Sequence, residues 1–257
     1  MTYRACITAT VLLFILHACK KDTDNHITGK RLIKVINQGM DSSAYTFFTY
    51  DNKGRIITVV DSASANRNLW HFNYYYNEKD QLSTIVSKER DNPFFTRDSF
   101  VYDQNQRIIQ RYSNYGQGIY TKHNLLFYDN KGQLVLDSVF YSGTINEVVA
   151  FTYDHMGNVI KEQRHYPNHS SIPIEIRQAT YTYTPNPFRS VAILNYLINY
   201  GGSTAFSQFN VSQLKYRDGS RTTYNYTYQN GLLSTVTETY IDRYQEESTH
   251  QTHFFYE

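Results

Sequence analysis

The residues of this chain best suited to chemistry at a surface lie in Leu69-Trp70-His71-Phe72-Asn73-Tyr74-Tyr75-Tyr76, where Trp70 is the one tryptophan. Aromatic rings in a row offer flat apolar faces and, from Tyr and Trp, a polar edge. That combination suits stacking on sugar rings. Trp70, Tyr74 and Tyr76 are therefore the candidate ligand-binding residues, with a glycan as candidate ligand. The same residues also build cross-strand ladders that pack a sheet, so the stretch has a purely architectural reading as well.

Other residue sets point less far. Asp51, Asp103, Asp129 and Asp154 recur, but calcium needs several oxygens converging on one point. Each of these opens its own turn, where turn chemistry accounts for it. His165 and His169, like His250 and His253, have spacings that could hold zinc on a helix. Pro167 opposes a helix at the first pair. The second pair lies in a predicted strand, where a three-residue separation puts the two rings on opposite faces. The chain has no glycine-rich phosphate loop opening a helix and no Gly-x-Ser-x-Gly elbow, and nothing singles out two carboxylates for glycoside hydrolysis. No metal, no cofactor and no enzymatic activity is expected. With 25 basic against 23 acidic residues, no electrostatic argument favours nucleic acid.

The N-terminus carries an address. Arg4 supplies a positive start, and Ala5 to Leu16 is an apolar run too short for a stable span. Leu16-His17-Ala18-Cys19 then resembles the bacterial lipobox, in which cleavage precedes a cysteine that already carries diacylglycerol. The resemblance implies a signal peptide over residues 1–18, a lipid on Cys19 and a membrane reached through it. Cys6 leaves with the signal, so the mature chain keeps one cysteine and no internal disulfide. Residues 19–29 form a polar tether. Its Lys20-Lys21-Asp22-Thr23-Asp24-Asn25 resembles the Lys-then-acidic signals that send Bacteroidetes lipoproteins to the cell exterior, and reads equally as a solvated linker.

The elements that must position these residues come from a repeat. Aromatic-x-Tyr followed by a turn recurs as Phe48/Tyr50, Tyr74/Tyr76, Phe100/Tyr102, Leu126/Tyr128, Phe151/Tyr153, Tyr181/Tyr183, Tyr226/Tyr228 and Phe254/Tyr256. The first five tyrosines are 26, 26, 26 and 25 residues apart, the period of a repeated supersecondary unit. Asp51-Asn52-Lys53-Gly54 and Asp129-Asn130-Lys131-Gly132 read as type I turns with Gly in the left-handed position, the three-residue hairpin loop with a glycine bulge. Six residues after each tyrosine comes an aliphatic one: Ile56, Leu82, Ile108, Leu134 and Val159. That register places Tyr50 across from Ile56, Tyr102 from Ile108 and Tyr128 from Leu134.

The pattern predicts an all-β, antiparallel, up-and-down meander of about fifteen strands of ordinary length. Such a sheet has two free edges unless it curls or closes, and closure by the last strand meeting an early one is expected. Residues 30–257 form one domain. After Pro185 and Pro187, Val191, Leu194 and Leu197/Ile198 recur at helical spacing and predict a short helix near 190–200.

Tyr50-Asp51-Asn52-Lys53-Gly54-Arg55-Ile56 resembles the YD repeat of Rhs and teneurin-type proteins, with a longer period and later copies that lose Asp. The lipobox, the aromatic-x-Tyr hairpins and Asn186-Pro187-Phe188 together resemble Bacteroidetes lipoprotein families of unknown function with a porin-like fold. That likeness covers roughly residues 30–257 and implies a barrel-like meander with no established activity. Asp61-Ser62-Ala63 and Asp137-Ser138-Val139 resemble the Bacteroidetes O-glycosylation motif.

A transmembrane barrel needs a continuous apolar outer band about 25 Å tall. Strict alternation puts Arg107, Ile109 and Arg111 on one face and Ile108, Gln110 and Tyr112 on the other. Lys161-Glu162-Gln163-Arg164 carries charge on both faces. The barrel is thus expected to stand in water on its tether, at the outer membrane or cell surface. A glycan-binding role is the leading expectation, and adhesion to another envelope protein is the alternative.

Overall fold

The computed structural model describes residues 30–38, 43–62, 69–116, 120–168, 174–187 and 206–257. The signal peptide, Cys19, the tether, His169 and the helix predicted near 190–200 lie outside the described residues.

The described residues form sixteen strands. They are β1 (Leu32–Gln38), β2 (Ser43–Tyr50), β3 (Ile56–Ser62), β4 (Leu69–Tyr76), β5 (Leu82–Glu89), β6 (Phe95–Tyr102), β7 (Ile108–Tyr115) and β8 (Tyr120–Tyr128). Then come β9 (Leu134–Tyr141), β10 (Thr144–Tyr153), β11 (Val159–His165), β12 (Ile174–Pro185), β13 (Phe209–Tyr216), β14 (Arg221–Gln229), β15 (Leu232–Ile241) and β16 (Glu247–Tyr256). Each strand pairs antiparallel with its chain neighbours, and β16 pairs with β1. The expected meander therefore closes into a barrel, which leaves no edge strand among the described residues.

One end of the barrel is built from the repeated turn. Asp51 Oδ1 accepts from the backbone N–H groups of Lys53 and Arg55, each at 2.9 Å. Asp103, Asp129 and Asp154 do the same in their own turns. Asn77 takes the Asp position in the β4–β5 turn. Gly54, Gly132 and Gly157 hold the left-handed position, and Asp80 and Gln106 hold it without being glycine, at φ 59 and 61°. Local hydrogen bonding is thus strong enough to impose the same turn without the expected residue. The bulge beside the turn sets Tyr50 opposite Ile56, Tyr76 opposite Leu82, Tyr102 opposite Ile108 and Tyr128 opposite Leu134.

The tyrosines do more than pair across their hairpin. Each sends its hydroxyl sideways to the preceding strand. Tyr50 donates to the Leu32 carbonyl, Tyr76 to Ile56, Tyr102 to Leu82, Tyr128 to Ile108 and Tyr153 to Leu134, at 2.6 to 2.9 Å. Tyr181 donates to Val159, and Tyr226 and Tyr256 donate to Val211 and Leu233 at 3.0 Å. The geometry gives the reason. Between these neighbouring strands the backbone ladder begins two residues further on, at Lys34, Thr58, Thr84, Gln110, Leu136, Lys161, Gln213 and Thr235. The strands splay at the turn end, and a phenol hydroxyl serves the carbonyl that the ladder leaves behind.

Two corrections follow. In the sixth and seventh copies the bonding tyrosines are Tyr181 and Tyr226, not Tyr183 and Tyr228, so the repeat frame there lies two residues earlier. Tyr183 is 88% exposed. The bulge also breaks strict alternation after each turn. Ile108 and Arg111, expected on opposite faces, are both buried, at 3% and 5% exposure.

The start of β1 and the end of β16 occupy the place of one more turn. Arg31 and Glu257 exchange both backbone hydrogen bonds, at 3.0 and 2.9 Å, and Leu32 faces Tyr256 as Ile56 faces Tyr50. The ring is therefore a repeat array opened at one of its own turns. On the outer surface Lys34 binds this seam, with its ammonium 5.1, 5.4 and 5.8 Å from the ring centres of Tyr45, Phe47 and Phe255.

Replacing a bonding tyrosine by Phe keeps the ring and removes one hydrogen bond to a carbonyl. Tyr102→Phe and Tyr181→Phe are each expected to lower unfolding stability by about 1 kcal/mol in urea titrations, and Tyr183→Phe to leave it unchanged.

Candidate functional site

The inside of the barrel changes character along its length. At the tight-turn end Phe48, Val59, Tyr74, Ile85, Phe100, Leu126, Phe151 and Phe254 form one buried apolar cluster. These are inward residues of their strands, and the bonding tyrosines pack against them. Each half-buried phenol sits in a dry layer, and burial raises the Tyr102 and Tyr256 hydroxyls to about 12.

The middle of the barrel is polar, and its two walls differ. Along β6–β12 the inward charges are matched. Arg111 Nε and Nη2 reach Asp98 Oδ1 at 2.9 and 2.8 Å, and Ser113 donates to the same oxygen. Asn124 Nδ2 donates to both oxygens of Asp137 at 2.9 Å. Glu162, 1% exposed, lies between Arg164 at 3.0 Å and Arg177 at 2.6 Å, and Arg164 also holds Glu147 at 2.9 Å. Burial, then the nearby Arg111, pushes the Lys122 ammonium below its usual range.

Along β14–β16 and β1–β3 the inward polar groups have fewer partners. Tyr224, Glu238 and His250 stand directly opposite one another on β14, β15 and β16. Thr252 donates to Asn37 Oδ1 at 2.8 Å, and among the described residues Asn37 Nδ2 and His250 Nε2 are buried without a hydrogen-bond partner. Among the described residues Asp61 meets the Thr46 hydroxyl, at 3.4 Å, and burial raises its carboxyl to about 6.

At the end opposite the tight turns Trp70, Thr96, Tyr115, Tyr240 and Ser248 are partly exposed, while Thr222 is buried. Trp70 faces Asp61 and Glu89, Thr96 faces Tyr115, and Tyr240 lies between Thr222 and Ser248. This mouth brings together aromatic rings, hydroxyls and carboxylates.

No protein-family model matches the chain, and no curated protein does. A porin-like protein from Bacteroides uniformis superposes with a TM-score of 0.60 at 13% identity, over 88% of this chain and 96% of that one. The two share a fold. A porin-like protein from Bacteroides vulgatus gives a TM-score of 0.40 at 10% identity, over 88% of this chain and 98% of that one. The TcdB2-TccC3 structure gives 0.35 at 13% identity, over 82% of this chain and 10% of that one. Neither of these two lower scores bears on the fold.

An open membrane pore has a wet interior and an apolar outer band. This barrel fills its tight-turn end with aromatic side chains. Its outward residues on β11–β16 include Lys161, Gln178, Gln213, Lys215, Thr237 and Gln251. The outer face along that arc suits water.

The sequence candidates are all inward. Tyr74 is 4% exposed within the apolar cluster, and Tyr76 spends its hydroxyl on Ile56. Packing claims both rings, so neither offers a free face to a sugar. Trp70 alone of the three reaches the mouth, stacked 6.3 Å from Phe72. His250 and His253 do lie on opposite faces, paired with Glu238 and Thr235. Ser138 is buried at 7% exposure, which opposes modification there. Glu238 and Asn37 were not singled out by sequence, and His250 only as a zinc candidate with His253, because a lone polar residue among outward threonines carries no spacing signal.

Two outcomes test these walls. Glu162→Gln leaves two guanidinium groups facing a neutral amide, and a loss of about 3 kcal/mol in chemical denaturation is expected. Asp61 holds its proton more tightly folded than unfolded. Its contribution is full below 3.8 and is lost as pH rises through about 6. Asp61→Asn should therefore stabilise the barrel above pH 6 by about 2 kcal/mol and leave it unchanged near pH 3, read from melts across pH.

Proposed function

We propose that this chain is a lipid-anchored protein of the outer membrane or cell surface that binds a glycan in the mouth of its barrel. The observation that carries this is the graded interior. A packed aromatic layer closes one end, and the other presents half-exposed Trp70 and Tyr240 beside Asp61, Glu89, Thr96 and Ser248. Aromatic faces next to paired donors and acceptors match a sugar's apolar and hydroxyl-bearing sides.

The anchoring follows from the lipobox resemblance and fits the geometry. Arg31 joins the barrel at the tight-turn end. The stretch from Cys19 reaches at most about 40 Å when extended. A lipid on Cys19 would hold the tight-turn end toward the membrane and turn the mouth outward.

The outer aromatics support a second reading, contact with another envelope protein. Phe47 and Phe255 are exposed around Lys34 at the seam, away from the mouth.

The test uses soluble chain beginning at Lys20, titrated with a panel of polysaccharides while Trp70 emission is followed. A saturable change with one glycan class, weakened at least tenfold in Tyr240→Ala, is expected. No response there or on immobilised glycans would overturn glycan binding and favour the protein-partner reading.

A further inference from the structure

The two inner walls differ in how their carboxylates are paired with cations among the described residues, and this difference locates a subsite. Resting on the glycan reading above, we propose that the inward row Tyr224–Glu238–His250, with the Asn37 amide beside it, hydrogen-bonds the bound saccharide and selects neutral over acidic sugars.

Placement comes first. Tyr224 and Glu238 are register partners, as are Glu238 and His250, so the three side chains form one cross-strand row on the inner face. Thr252 lies two residues from His250 on the same face, and Asn37 is its partner on β1. The row sits one inward step from Tyr240 and Ser248 at the mouth.

Satisfaction comes second. On the opposite wall Asp98 meets Arg111, Glu147 meets Arg164, and Glu162 meets two arginines. Glu238 has no such cation and no hydrogen bond among the described residues, and burial raises its carboxyl. Among the described residues Asn37 Nδ2 and His250 Nε2 are both buried without a partner. Leaving a buried polar group unmet is costly, and native folds retain such groups mainly where something else meets them.

The chemistry names the class. A sugar hydroxyl donates one hydrogen bond and accepts others. It can donate to Glu238 while accepting from Asn37 Nδ2, and a neighbouring hydroxyl can meet His250 Nε2 and Tyr224. The Thr252 bond turns the Asn37 amide so that its donor end is the free one. A uronic acid would instead bring its carboxylate toward Glu238, which meets no cation among the described residues. Like charges in a low-dielectric interior repel strongly.

The test uses the full chain secreted with Cys19→Ser, titrated calorimetrically with xylohexaose, cellohexaose, mannohexaose and oligogalacturonate. The expected result is binding of a neutral hexasaccharide, at least tenfold weaker in Glu238→Gln and in His250→Ala, with oligogalacturonate binding at least tenfold weaker than the neutral sugar. If one of these variants fails to fold by its melt, the other and Asn37→Leu carry the comparison. Binding of a neutral sugar that the folded variants leave unchanged would overturn the subsite and keep the mouth as the binding region. Equal binding of oligogalacturonate would overturn the selectivity. No binding of any of the four by the unsubstituted barrel would overturn both the subsite and the reading it rests on.

Discussion

The structure depends on a single hydrogen bond made eight times among the described residues, from a tyrosine hydroxyl to a carbonyl of the strand before it. Two strands that leave adjacent tight turns must splay, because each turn and its bulge belong to a different pair. The carbonyl at the splay would be left without its ladder partner. A phenol is long enough to reach across, and its ring adds apolar area to the layer beneath. The bond therefore joins separate hairpins into a sheet and seals one end of the barrel. Because the last copy bonds Leu233 and the first bonds Leu32, the series runs round the closed ring.

That seal decides what the rest of the interior can be. With the tight-turn end packed, the inward charged residues of the strands lie in the middle and the mouth. One wall uses them as matched ion pairs. Such pairs are weak contributors to net stability, and breaking one is costly. On the other wall a carboxylate, an amide nitrogen and an imidazole nitrogen have no partner among the described residues, and those groups carry the proposed recognition. The porin-like fold here carries a packed apolar core at one end of its interior.

Much of this was legible in the residues. The 26-residue spacing announced hairpins, Asp and Gly announced their turns, and the aliphatic residue six positions after each tyrosine set the register. The bond itself was not legible, because it joins residues 15 to 23 apart across strands whose pairing the sequence only implies. Tyr183 and Tyr228 show the limit. They continue the aromatic-x-Tyr pattern in letters, yet the carbonyls sit opposite Tyr181 and Tyr226. Strict alternation misled for a related reason, since a bulge beside each turn moves Ile108 and Arg111 onto one face. Trp70, Tyr74 and Tyr76 were rightly seen as a row, but a period of two cannot say which face of a sheet is the inside.

The central claim is that these bonds help hold a ring with no free edge. Native-state hydrogen exchange of β1 and β16 tests it most directly. The account predicts that paired amides at the seam, such as those of Val35 and Phe254, exchange through the same global opening as those of β7 and β8. Exchange of β1 and β16 by local fraying, at a free energy far below the global value, would contradict it.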